Sequence, residues 1–211
     1  MGGMSSAPHA GNVEVFKART NKWFAWLSWA VAAFGVVVTV LMAGPGGLAG
    51  IAPLAFIAFM GWQLFWMPSV VVHDAGVTLE NPFRSIEVPW AALVHVDTRF
   101  ALTLVTAEKS YTSWAAPAPG IWGGRHARPE DLHGLPATTY GPGKSVRPGD
   151  LKTTDSGQAA MLVRARWHEL VEGGQLAAGD APGTATVTVR WVAIGAVVLL
   201  LAASYLAVTA S

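Results

Sequence analysis

The chain has 211 residues, a formal net charge of +1 and no cysteine, and only 13% of it is charged, about half the usual share for a soluble domain. Without cysteine there are no disulfides, no thiol catalysis and no thiolate metal sites. The few charges mix both signs along the middle of the chain, unlike the basic stripe of a nucleic-acid binder, so nucleic acid is not an expected partner.

The charge deficit is local. From Trp23 to Val72, and again from Trp191 to Ser211, there is no Asp, Glu, Lys, Arg or His. Residues 1–22 read as a tail. The first apolar run, 23–43, matches the roughly 20 residues needed to cross a hydrocarbon core. A second, 48–68, follows after AGPGG, a turn so short that the chain must reverse, so 23–68 reads as a transmembrane helical hairpin. Gly50, Pro53, Gly61 and Gln63 would weaken a soluble helix but are tolerated within a membrane. A third run, 191–209, completes three expected spans. Buried helices of a soluble protein are the rival reading, but such helices normally keep a polar stripe, and none is present. A cleaved signal peptide fits poorly, because the first run is too long and VLMAG is a weak cleavage site. Gly2 with Ser6 fits a short myristoylation pattern, which would add little beside three spans.

Orientation follows from the basic residues at the span ends. Lys17, Arg19 and Lys22 precede the first span and Arg190 the third, while AGPGG and the C-terminal VTAS carry none. With three spans, all 14 Lys and Arg fall on one side, which places the N-terminus and the middle segment in the cytoplasm and the C-terminus outside. Lys22, Trp23, Trp66, Arg190 and Trp191 read as anchors at one membrane face.

Residues 69–175 have a different texture. SVVVH, VTLEN, SIEVPW, ALVHVD, ALTLVT and SYTSW alternate apolar and polar residues between turns. Val77 with Leu79, Ile86 with Val88, Val94 with Val96, and Leu102 with Leu104 all follow period two, predicting an antiparallel meander. Residues 117–155 hold 13 Gly or Pro in 39, a level typical of low-complexity sequence, and read as a long, mostly unstructured loop. Its cations Arg125, Arg128, Lys144, Arg147 and Lys152 read as solvated, with contact to anionic headgroups as the rival. One helix follows, with Asp155 as N-cap and Gln158 completing a capping-box-like pair. Met161, Leu162, Ala165, Trp167 and Leu170 form its expected apolar stripe, Arg164, Arg166, Glu169 and Glu172 its wet side, and Gly173-Gly174 ends it. Residues 176–190 read as a linker.

Val77-Thr78-Leu79-Glu80-Asn81 before Pro82, the Val88-Pro89-Trp90 motif, and Ala165-Arg166-Trp167 carry a resemblance. The region 69–172 resembles the bacterial pleckstrin-homology-like (PH-like) family and, within it, the PH domain-containing membrane proteins of actinobacteria. The resemblance implies a partly open sheet sandwich closed by one helix and used for binding. It does not imply inositol-lipid recognition, because the first hairpin loop, His73-Asp74-Ala75-Gly76, carries only a negative full charge.

The search for chemistry finds little. There is no Gly-rich phosphate loop, and no two of the six histidines have zinc-site spacing. His95 and Asp97, two apart, would share a strand face; a solvated face explains them as well as a metal or acid–base pair does. The spans hold no ionisable residue for an ion path. Gln63 and Gly46-x-x-x-Gly50 read as helix-packing features. No catalytic residue, metal or cofactor is expected.

The sequence therefore predicts an α+β membrane protein: a transmembrane helical hairpin, a PH-like antiparallel domain closed by a helix, and a third span. Its expected role is to present that domain at the inner face of the plasma membrane to lipid headgroups or to a protein partner. The rivals are an accessory subunit that binds through its spans, and an uncharacterised enzyme.

Overall fold

The structure is a computed structural model that describes residues 13–43, 50–119, 148–174 and 184–210. In chain order it runs β1 (Glu14–Phe16), α1 (Arg19–Ala43), α2 (Ile51–Gly61) continuing into a π-helical turn (Trp62–Trp66), β2 (Ser69–His73), β3 (Gly76–Asn81), β4 (Arg84–Pro89), a 3-10 turn (Trp90–Ala92), β5 (Leu93–Asp97), β6 (Ala101–Thr106), β7 (Ser110–Pro117), a second 3-10 turn (Pro148–Asp150), α3 (Asp155–Glu172), β8 (Thr186–Val189) and α4 (Trp191–Ala210).

Two antiparallel sheets form the domain, one ordered β1-β2-β3-β4-β8 and the other β5-β6-β7. The alternation in β3, β4 and β6 matches the packing. Val77, Leu79, Ile86, Val88, Leu102 and Leu104 are fully buried between the sheets, each contributing about 1.5–3 kcal/mol by leaving water. β5 departs from the prediction. A bulge between Leu93 and His95 shifts the side-chain parity, so Leu93 and Val96 are buried while Val94 is 49% exposed. One extra residue in a strand has this effect, because side chains alternate faces with period two.

The Val88-Pro89-Trp90 motif is built into the core. Val88 is fully buried and Trp90 is 3% exposed. Pro89 pairs with Gly76, where a Cβ would lie 2.3 Å from the Val88 carbonyl, so only glycine fits there. Trp90 Nε1 donates to the His73 carbonyl at 2.9 Å, which ties the start of the 3-10 turn to the β2–β3 hairpin.

α3 closes the open side of the sandwich, and its details correct three expectations. Its N-cap is Thr154, not Asp155: the Thr154 hydroxyl accepts from Gly157 N at 3.0 Å. The third helical position is then a glycine with no side chain to complete a capping box, and a Cβ there would lie 2.0 Å from the Leu151 carbonyl. The buried face is also rotated. Ala159, Ala160, Val163 and Leu170 are buried, with Leu162 and Trp167 packed against the core, whereas Ala165 is exposed. Arg164 turns inward. Its guanidinium donates to Asp150 Oδ1 at 2.9 Å and to the Val96 carbonyl at 2.9 Å, and the Thr98 hydroxyl donates to the same carboxylate oxygen at 2.7 Å. Asp150 and Leu151 are buried, so the last part of the predicted loop, 148–155, is a packed element. Residues 120–147 lie outside the described residues.

β1 and β8 fall in segments that read as a tail and a linker. Pairing places both: Val15 lies opposite Val71, and Ile86 opposite Val187.

Two helices, Arg19–Met42 and Trp191–Thr209, are long and apolar enough to cross a membrane; of the most apolar 18-residue stretch, 11% is buried in the first and none in the second. The predicted run 48–68 is helical over Ile51–Trp66, apolar but shorter. α2 packs against both α1 and α4. The α1–α2 seam is lined with small residues: Ala25 is fully buried, and a Cβ on Gly61 would lie 2.5 Å from Ser28 Cβ. Close backbone approach of this kind is common where apolar helices associate. Gly50 packs near Thr39; Gly46 lies outside the described residues.

Candidate functional site

The five-stranded sheet has two ends, and the three apolar helices start or end at only one of them. Phe16 opposite Val70, Ser69 opposite Glu80, Asn81 opposite Arg84 and Arg84 opposite Val189 bring the end of β1, the start of β2, the β3–β4 turn and the end of β8 to one level. α1 starts from this level three residues after Phe16, the π turn ends three residues before Ser69, and α4 starts two residues after Val189.

Side chains lock the helices to that end. The π turn is closed by Met67 N donating to the Trp62 carbonyl at 3.0 Å. Within it, Gln63 is 1% exposed, and its Nε2 donates to the Pro82 carbonyl in the β3–β4 turn. The expected role of Gln63 in helix packing is thus replaced by docking onto the domain. A primary amide buried among apolar side chains needs a partner, and the carbonyl of a turn is one the sheet ladder does not use. Trp114 Nε1 on β7 donates to the Leu64 carbonyl at 2.8 Å, and π turns recur at functional positions in helices. Asn81 links the two sheets here, with Nδ2 donating to the Thr112 carbonyl at 3.0 Å and Oδ1 accepting from Trp114 N at 2.7 Å. Arg190 pairs with Glu80, and its backbone N donates to the Phe83 carbonyl at 3.0 Å.

The residues singled out as anchors sit at this level. Lys22 is exposed, Trp23 is 77% and Trp191 73% exposed. Trp66 is half-buried, with its ring 5.3 Å from that of Trp29 and 6.3 Å from that of Trp26. Val88, Pro89 and Trp90 lie toward the opposite end, with Gly76. Gln63, Asn81, Arg84 and Trp114 were not singled out as parts of this site. A lone amide inside an apolar run was the one available signal among them.

At the opposite end the β2–β3 turn is closed from within. Asp74 pairs with Arg166 of α3, which also pairs with Glu169 at 2.9 Å. Glu169 first, then Asp74, raises the guanidinium pKa above its ordinary value. His73 Nε2 and Thr78 Oγ1 are 3.0 Å apart. No cation of the turn itself faces outward to take a phosphate. His95 is exposed, and the Asp97 carboxylate accepts from Thr98 N at 2.9 Å. Among the described residues no group of three or more His, Asp or Glu is placed to hold a metal ion.

Two stacked sheets, a closing helix and a core tryptophan at the end of β4 form a PH-like arrangement, and comparison with known families agrees. Residues 67–150 match the family model of the bacterial PH domain. The chain carries a bacterial PH domain. The match starts at Met67, just past the π turn, and ends at Asp150, before α3. The PH-like sandwich is thus the family's part, and β1, α3, β8 and the three apolar helices lie outside the match. No curated protein and no solved structure matches the chain.

Proposed function

We propose that the protein is a non-catalytic, multi-pass membrane protein that holds its PH-like domain against the inner face of the plasma membrane, where the domain meets a protein partner or lipid headgroups. The observation that carries this reading is the exposure of α1 and α4. Helices this long and apolar are buried when they form the core of a soluble protein, and here the apolar stretch of α4 is not buried at all. Lipid is the solvent that such a surface fits. The hydrogen bonds from Gln63, Trp114 and Arg190 favour a domain held in a fixed pose rather than one on a free tether.

The reading makes the PH-like domain the binding part, and the rival makes the helices that part. Phe100 on the β5–β6 turn is 79% exposed and Leu199 on α4 is 72% exposed, so each suits a photo-crosslinking residue in living cells. Protein adducts from position 100 are expected. Adducts from position 199 alone would overturn the reading in favour of an accessory subunit that binds through its helices.

A further inference from the structure

The helix-docked end of the sheet gathers positive charge that has no ion-pair partner among the described residues. Lys17 follows β1, Arg19 and Lys22 open α1, and Arg84 opens β4; all four are exposed and none forms an ion pair among the described residues. Among the described residues the one carboxylate at this level, Glu80, is already held by Arg190. The other acids of the sheet lie farther along the strands. Glu14 is opposite Val72, Glu87 is opposite Thr78, and Asp74 lies in the far turn. Charge is therefore sorted along the strands, positive toward the helices and negative away from them.

The cations are also spread sideways. With strands about 4.8 Å apart, the three gaps from β1, next to Lys17, Arg19 and Lys22, to β4, which carries Arg84, span about 14 Å. They form a row across the sheet end, not a ring around one pocket. Trp23 comes directly after Lys22 and Trp191 directly after Arg190, both largely exposed, as in the aromatic belts that sit at headgroup depth.

We infer that this row is a binding surface for anionic phospholipid headgroups, with Lys17, Arg19, Lys22 and Arg84 taking phosphodiester oxygens. The inference rests on the membrane reading above and adds a preferred lipid class to it. The surface is remote from the β2–β3 turn, and it selects charge rather than a particular headgroup.

The test uses the full chain reconstituted in phosphatidylcholine vesicles, with tryptophan fluorescence quenched by brominated lipids. Brominated phosphatidylglycerol is expected to associate more strongly than brominated phosphatidylcholine, by about fivefold or more at low salt, the factor that one basic residue near an anionic surface supplies. Replacing Lys17, Arg19, Lys22 and Arg84 together by Gln removes the preference, while Lys109→Gln in the β6–β7 turn keeps it. Arg84→Gln alone lowers it partly, and carries the test should the fourfold variant fail to fold. An undiminished preference in both variants, or no preference in the native chain, overturns the inference. So does loss of the preference to inorganic phosphate but not to chloride at equal ionic strength, which assigns the row to free phosphate. Quenching by neither lipid has a different meaning: the helices are then outside the bilayer, and the membrane reading itself falls.

Discussion

The two ends of the five-stranded sheet are held by different chemistry. At the helix-docked end, neutral side chains reach across to backbone carbonyls, Gln63 to Pro82, Trp114 to Leu64 and Asn81 to Thr112, beside one part-exposed ion pair, Arg190 with Glu80. On the side that α3 closes, charged side chains do the holding, with Arg164 on the buried Asp150 and Arg166 on the exposed Asp74. Neutral bonds avoid burying ions beside an apolar helix bundle, where an unpaired charge is most costly. The domain's own cover uses two ion pairs, one buried and one exposed. The comparison also separates duties: one end fixes the pose of the domain on its helices, the other fixes the sandwich itself.

Substitutions can break this contrast in a graded way. The largest effect is expected at Asp150, whose side chain is only 6% exposed, with Arg164 at 16%. Asp150→Ala strands a buried guanidinium and should lower the domain's stability by about 3–5 kcal/mol, read as an earlier thermal unfolding transition. Gln63→Leu removes an amide but leaves the Pro82 carbonyl buried without its donor, at about 1–3 kcal/mol. Its signature should be looser docking, seen as faster proteolysis near the β3–β4 turn, with the sandwich itself intact. Asp74→Asn is expected to be nearly silent, at under about 1 kcal/mol, because water and salt screen an exposed pair. A large loss from Asp74→Asn would show that the far turn is not held as the contrast requires.

What was legible in the sequence follows the same division. β3, β4 and β6 could be read from alternation, because Val77 with Leu79, Ile86 with Val88 and Leu102 with Leu104 each keep one buried face. β5 could not, since a bulge is invisible to a period-two count, and Val94 turned outward. On α3 the stripe was placed on Ala165 and away from Arg164 because the partner of Arg164, Asp150, sits in a Gly- and Pro-rich stretch that reads as loop. β1 and β8 were missed because three or four residues carry too little pattern, and only pairing with β2 and β4 makes them strands. Gln63 was visible as an oddity, yet its acceptor lies 19 residues away and no local rule points to it. Lys22, Trp23, Trp66, Arg190 and Trp191 could be singled out as expected anchors because they stand at the ends of apolar runs. Arg84 joins that level through the register of β4 with β3 and with β8.

The central claim is that the domain and the N-terminus share the cytoplasmic side, with the C-terminus outside. The chain has no cysteine, so single substitutions Ser110→Cys, at an exposed position in β7, and Ser211→Cys give clean reporters. Intact cells are treated with a membrane-impermeant maleimide. Labelling at position 211, with position 110 labelled only after permeabilisation, is the expected result. Labelling at position 110 in intact cells would put the domain outside and contradict the account.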